Sequence, residues 1–132
     1  MKRRPRRREE GRQQARAIGD AFRQRQVPIA RVLASRWCRS TETAQLAFGT
    51  AEPFPAIDSF FQDRARGPGQ TEAARVRIQT FEGPGNMMMV THQVNITALT
   101  EIFPASGEGV VVRPLPDDPK GFAVIGRIRI GG

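Results

Sequence analysis

Short apolar runs of strand length alternate with longer amphipathic segments along this chain, and that alternation is the tightest constraint on its fold. "EEGRQQARAIGDAFRQRQ", residues 9–26, sets Ala15, Ile18 and Phe22 on one helical face with Arg and Gln opposite. "IARVLAS" follows as a buried strand. "RSTETAQLAFG" reads as a helix, with Ser40 or Thr41 as its cap, Glu42 in the first turn and Gly49 at its end. "PFPAID" is a weak strand between prolines, which suits a sheet edge. "RARGPGQ" reads as a loop by its Gly and Pro content. "TEAARVRIQTF" is a third helix, aligning Ala74, Ile78 and Phe81, and "GPGN" breaks it. "MMMVT" is a strand, "NITALTEIF" a short helix with Ile96, Leu99 and Phe103 on one side. "GVVVRPL" and "GFAVIGRIRI" close the chain as two strands joined by "PDDPKG". Strands separated by helices dictate an α/β fold with a mostly parallel sheet and helices on both faces, and the last two strands are close enough to pair antiparallel.

At 132 residues the chain makes one domain with a modest core. No apolar run approaches the roughly 20 residues of a membrane span, and the basic start is not followed by the apolar stretch of a signal peptide. That leaves the cytoplasm as the default compartment. Cys38 is the only cysteine, which excludes an internal disulfide and argues against structural zinc. With no histidine or other activating partner nearby in sequence, it reads as packing rather than catalysis. The triple methionine Met87 to Met89 reads as core filling.

The formal charge of +8 invites a nucleic-acid reading, but its distribution argues against specific binding. "KRRPRRR", residues 2–8, holds six of the 21 Lys and Arg, and the remaining 15 basic residues face 13 acidic ones, a net of +2. A block of like charge is a solvated tail, so residues 1–8 are assigned as a disordered basic tail and 9–132 as the α/β domain.

In a parallel sheet, ligands bind beyond the carboxyl ends of the strands. Arg39 and His92, the only histidine, fall there in successive βα units. Each adjoins a helix start, where free N–H groups and the helix dipole favour an anion. Arginine supplies a planar fork of donors that matches phosphate oxygens, and an imidazole supplies a hydrogen bond or a proton near neutral pH. The alternative is plain: Arg36 and Arg39 as surface charges at a helix start, and His92 as a satisfied loop histidine.

"EEGRQQARAIGDAF", "VLASRWCRSTETAQLAFG", "NMMMVTHQVNITALTEIFP" and "GEGVVVRPLP", in this order, resemble the histidine phosphatase superfamily, and most closely its small bacterial phosphatases. The resemblance runs from about Glu9 to the C-terminus. It rests on the S-x-x-x-R-x-x-x-T-A block and the V-T-H block together. It implies a three-layer α/β/α phosphoglycerate mutase-like domain that hydrolyses phosphomonoesters through a phosphohistidine, with neither metal nor organic cofactor. Arg39 matches the family's second arginine and His92 its second histidine, both in the phosphate pocket. The partner implied is a phosphorylated small molecule or a phosphate anion. Asp58 and Asp63 are candidates for the carboxylate that donates a proton in many members. Gln93 and Glu101 stand where members often carry glycine or small residues.

The R-H-G motif that holds the family's nucleophilic histidine is absent, and so is the first strand that carries it. "MKRRPRRR" cannot be a buried strand, because unpaired charges are not buried. The resemblance puts that strand between "MMMVT" and "GVVVRP", so its absence leaves two inner edges unpaired. Those edges either close on each other or leave the chain marginal in stability. Arg- and Pro-rich peptide is also what a shifted frame of GC-rich coding DNA encodes, so residues 1–8 are expected to be a frameshift or a misplaced start, the alternative being a genuine basic tail on a truncated paralogue. A signal peptide in a lost upstream segment would make the protein periplasmic or secreted, and a cysteine there could be the partner of Cys38. The expectation for the chain as it stands is an inactive phosphatase, with a pseudophosphatase that binds phosphate as the alternative. Nucleic-acid binding through residues 2–8 is the other.

Overall fold

A computed structural model describes residues 6–130. Its elements run α1 (Arg6–Gln24), β1 (Ile29–Ala34), α2 (Cys38–Phe48), β2 (Glu52–Pro53), α3 (Gly67–Gln79), β3 (Asn86–Val90), α4 (Gln93–Thr100), β4 (Glu108–Pro114) and β5 (Phe122–Arg129). The alternation read from the sequence is therefore present. β1 is central, with β2 and β3 parallel on either side of it.

Successive residues of β1 point to opposite faces of the sheet. Val32 and Ala34 pack with Ala44 of α2, with Met88 and Val90 at the margin. Leu33 packs the other way, with Ile57 and Ala74 of α3, and Met87, Met89 and Leu99 of α4 border that cluster. A strand apolar on both faces needs helices on both, and this one has them. The methionine triplet serves both clusters, yet none of the three is fully buried.

α1 lies close against α2 because the residues between them are small. Ala15 and Ala47 are buried, and a Cβ added at Gly19 would stand 2.0 Å from the Ala47 carbonyl oxygen. Arg12 clamps the pair by donating from Nε and Nη2 to the two Glu42 oxygens at 3.1 and 3.2 Å. The Phe22 and Phe48 rings meet edge to face at 5.7 Å.

β4 and β5 pair antiparallel, as their spacing predicts, but they form a second sheet of their own rather than extending the first. α3 holds one end of this hairpin: Gln79 Nε2 donates to the carbonyls of Pro116 and Asp118, and Arg75 Nη1 to that of Pro119. At the other end Gly107 sits against the Gln14 side chain of α1.

Three expectations need correction. α1 begins at Arg6, so residues 6–8 of the supposed tail are helical, while residues 1–5 lie outside the described ones. α3 begins at Gly67 and absorbs most of the supposed loop; Pro68 occupies the first helical turn, where its missing N–H and fixed φ do no harm. The "PFPAID" strand shrinks to Glu52–Pro53, and Pro55–Ile57 form a 3-10 turn. Of the two outcomes open for the inner edges, closure on each other is not the one seen, since β3 has no ladder to β4. Among the described residues, no helix is long and apolar enough to cross a membrane.

Candidate functional site

β1 and β3 are parallel neighbours, so the turns that follow them lie side by side. The first leads into α2 and the second into α4. Trp37 is the N-cap of α2 and His92 the N-cap of α4, and neither helix has a side-chain cap. The expected caps are engaged elsewhere: Thr41 Oγ1 donates to the Ser35 carbonyl at 3.1 Å, and Ser40 Oγ lies 3.5 Å from His92 Nε2. The first amides of both helices are left to solvent or a ligand. The Trp37 ring stands edge to face with the His92 ring at 4.8 Å.

His92 is fixed from below. Its Nε2 stands 2.8 Å from Ser35 Oγ, and Ser35 is fully buried. The Ser35 hydroxyl donates to Asp58 Oδ1 at 3.3 Å and accepts from the Trp37 amide at 3.2 Å. A hydroxyl has one proton, so with that proton on the Asp58 side the imidazole Nε2 carries the N–H toward Ser35. Nδ1 then carries the free lone pair.

Asp58 is brought under the site from the segment after β2. It accepts from the Arg36 amide and from Arg36 Nε, both at 2.8 Å. Its own carbonyl is held by Gln70 Nε2 at 2.7 Å and Asn95 Nδ2 at 2.8 Å, and Thr91 Oγ1 donates to the Ile57 carbonyl at 2.6 Å. Burial alone would raise the Asp58 carboxyl, but the Arg36 amide and guanidinium, with Ser35, hold it below the ordinary carboxylate value. Burial also pushes the His92 imidazole below its ordinary value of 6.5, and the Asp58 charge offsets part of that shift. Burial therefore favours the neutral form of His92.

The expected residues separate. His92 and Asp58 meet through Ser35. Arg39 sits in the first turn of α2, next to Ser40, exposed and with no hydrogen bond or ion pair to the described residues. Of the two arginines weighed as surface charges, Arg36 is consumed by Asp58 and Arg39 is the one left over. Asp63 is not part of the site: it is exposed and starts the 3-10 turn Arg64–Arg66. Cys38 is exposed rather than packed, because it opens α2 on its solvent side. Glu101 ends α4 in the left-handed region at φ 64°, which suits the glycine expected there better than the residue present. Sequence reasoning missed Ser35 and Trp37 as partners of His92, although Ser35 opens the same S-x-x-x-R block as Arg39.

The arrangement offers an anion two uncapped helix starts and one free guanidinium, with the Nδ1 lone pair of His92 beside them as a hydrogen-bond acceptor. It is an open shelf at the strand ends. Two surface concavities, of about 340 and 390 Å³, lie elsewhere, at the Leu115–Pro119 turn and between Phe60, Gly67 and Ala98. Among the described residues, no group of three or more His, Cys, Asp or Glu side chains could hold a metal. No protein-family model matches the chain, and no curated protein matches it.

Proposed function

We propose that the chain is the larger part of a histidine-phosphatase-type domain, with the phosphoglycerate mutase-like arrangement of layers, and that it binds a phosphoryl group without hydrolysing it. The observation that supports this is the meeting of two uncapped helix starts at the carboxyl ends of adjacent parallel strands, with Arg39 on one and His92 on the other. Arg39 takes the phosphoryl oxygens in its fork, the amides of Cys38, Arg39 and Ser40 add donors, and the His92 Nδ1 lone pair accepts a hydrogen bond from a protonated phosphoryl oxygen. His92 is the only histidine of these 132 residues, and it is tied to Ser35, so among them the covalent route finds no second histidine as nucleophile. Ser35 cannot replace it, being fully buried.

Titration of the full chain with inorganic phosphate and with vanadate, followed by calorimetry, tests the binding. p-Nitrophenyl phosphate tests turnover. Saturable binding without release of nitrophenol is the expected result. Absence of binding for both anions sinks the proposal, and hydrolysis abolished by Arg39→Ala would restore the hydrolase reading.

A further inference from the structure

The imidazole of His92 meets the shelf with a lone pair, and that limits which anions fit. Its Nε2 is committed to Ser35 Oγ at 2.8 Å, and the Ser35 proton goes to Asp58, whose carboxylate is held in turn by the Arg36 amide and Nε. Ser35 and Asp58 are both buried, so solvent does not reset this order of donors. Nδ1 is the atom left over. It does not turn back to cap α4, and the hydrogen bonds of the ring to described residues are both made by Nε2. Nor is Nδ1 buried: among the described residues, the one buried side-chain polar atom without a partner is Asn95 Oδ1.

The rest of the shelf consists of donors. The Arg39 guanidinium and the first amides of α2 and α4 suit bare, negatively charged oxygens. The two helix starts touch at His92, whose ring stands 4.8 Å from the Trp37 ring and whose Nε2 lies 3.5 Å from Ser40 Oγ. An anion seated on α2 therefore has the imidazole beside it. A tetrahedral anion with no proton satisfies the donors and then sets an oxygen lone pair against that of Nδ1. One that carries an O–H satisfies the donors and gives Nδ1 its hydrogen bond as well. A site with an acceptor built in rejects the analogue that lacks the matching donor.

We propose, given phosphoryl binding at this shelf, that it selects by protonation: its ligand is a tetrahedral oxyanion that still carries an O–H, inorganic phosphate being the simplest. A phosphomonoester loses its last proton at about pH 6 and above that presents only bare oxygens. Sulfate presents only bare oxygens at any ordinary pH. Inorganic phosphate keeps at least one proton over the same range, so the free anion fits this shelf better than its ester does. Ser35 is the positioning residue: it touches no ligand but decides which ring nitrogen of His92 holds the proton.

Two measurements on the full chain test this. Imidazole nitrogen shifts of the free protein, read by NMR just above neutral pH, are expected to show the proton on Nε2. A proton on Nδ1 overturns the proposal. Calorimetry at the same pH with inorganic phosphate, sulfate and phenyl phosphate is expected to show phosphate bound about tenfold or more tightly than the other two. Ser35→Ala frees the tautomer, so sulfate should gain and the ratio should fall to within about threefold. His92→Gln, whose amide offers a donor as well as an acceptor, should do the same even where Ser35→Ala fails to fold. Equal affinities for the three anions in the parent overturn the proposal and leave phosphoryl binding standing. Phenyl phosphate bound as tightly as phosphate, with sulfate excluded, also overturns it, because phosphorus rather than the proton is then selected. So does a ratio that both variants retain. No binding of any of the three removes phosphoryl binding and the proposal together.

Discussion

The Ser35 hydroxyl and the His92 imidazole nitrogen Nε2 are 2.8 Å apart, and that contact decides what the imidazole can do. It gives one ring nitrogen to the protein and leaves the other for whatever arrives. It also makes a fully buried serine, rather than a charged residue, the post on which the only histidine turns.

Ser35→Ala removes that post. His92 Nε2 keeps only the 3.5 Å approach of Ser40 Oγ and Asp58 loses one donor, while Arg36 still holds the carboxylate. An unmet buried polar group costs about 1–3 kcal/mol. Urea denaturation should show that loss, and ring nitrogen shifts should show His92 no longer fixed in one tautomer. A variant as stable as the parent, with an unchanged tautomer, would mean the contact carries nothing.

His92 should titrate below its ordinary 6.5, because burial disfavours the imidazolium. The unfolded chain then binds the extra proton first as pH falls, so this group's contribution is present above 6.5 and is lost as pH drops through the folded value. Asp58→Asn takes away the one charge that pulls His92 back up, so it should titrate lower still. Proton shifts of the imidazole followed against pH give both values. A value above 6.5 in the parent would contradict the burial of the ring.

The two arginines flanking Trp37 and Cys38 should separate cleanly. Arg39→Ala removes an exposed side chain with no partner among the described residues, so stability should stay within about 0.5 kcal/mol. Phosphate binding should fall about tenfold or more, the worth of a charged hydrogen bond. Arg36→Ala should do the reverse and cost about 1 kcal/mol of stability, a figure discounted for the exposure of its guanidinium. Calorimetry and denaturation on both variants check this, and a stability loss in Arg39→Ala would remove it.

Gly19→Ala tests the seam between α1 and α2. Its new methyl would meet the Ala47 carbonyl at 2.0 Å, so the helices must part and the Arg12–Glu42 clamp must stretch. Overpacking of this kind costs about 1–3 kcal/mol, against the helix propensity that alanine gains. A thermal melt shows the balance, and a more stable variant would mean the helices are not in contact.

Much of the fold is legible in the sequence because apolar periodicity sets it. "IARVLAS" and "MMMVT" are apolar on both faces, and both are strands between helices. What misleads is punctuation. "GPG" at residues 67–69 reads as a break, yet proline suits a first helical turn, and Gly67 is small where the Phe60 ring presses on it, 2.8 Å from an added Cβ. The site is legible by position and not by pairing. Nothing local distinguishes Arg36 from Arg39. The choice is made by Asp58, 22 residues away in sequence, which the sheet brings under one arginine and not the other. Ser35 escaped notice for the same reason: its role comes from a histidine 57 residues on.

Trp37 is the only tryptophan of the chain, and it is about half exposed with its ring against His92. All the indole fluorescence of this protein therefore arises at a single place, beside an imidazole whose protonation changes its emission. The molecule carries its own optical probe where two helices start. A change in colour or intensity reports an event at that shelf.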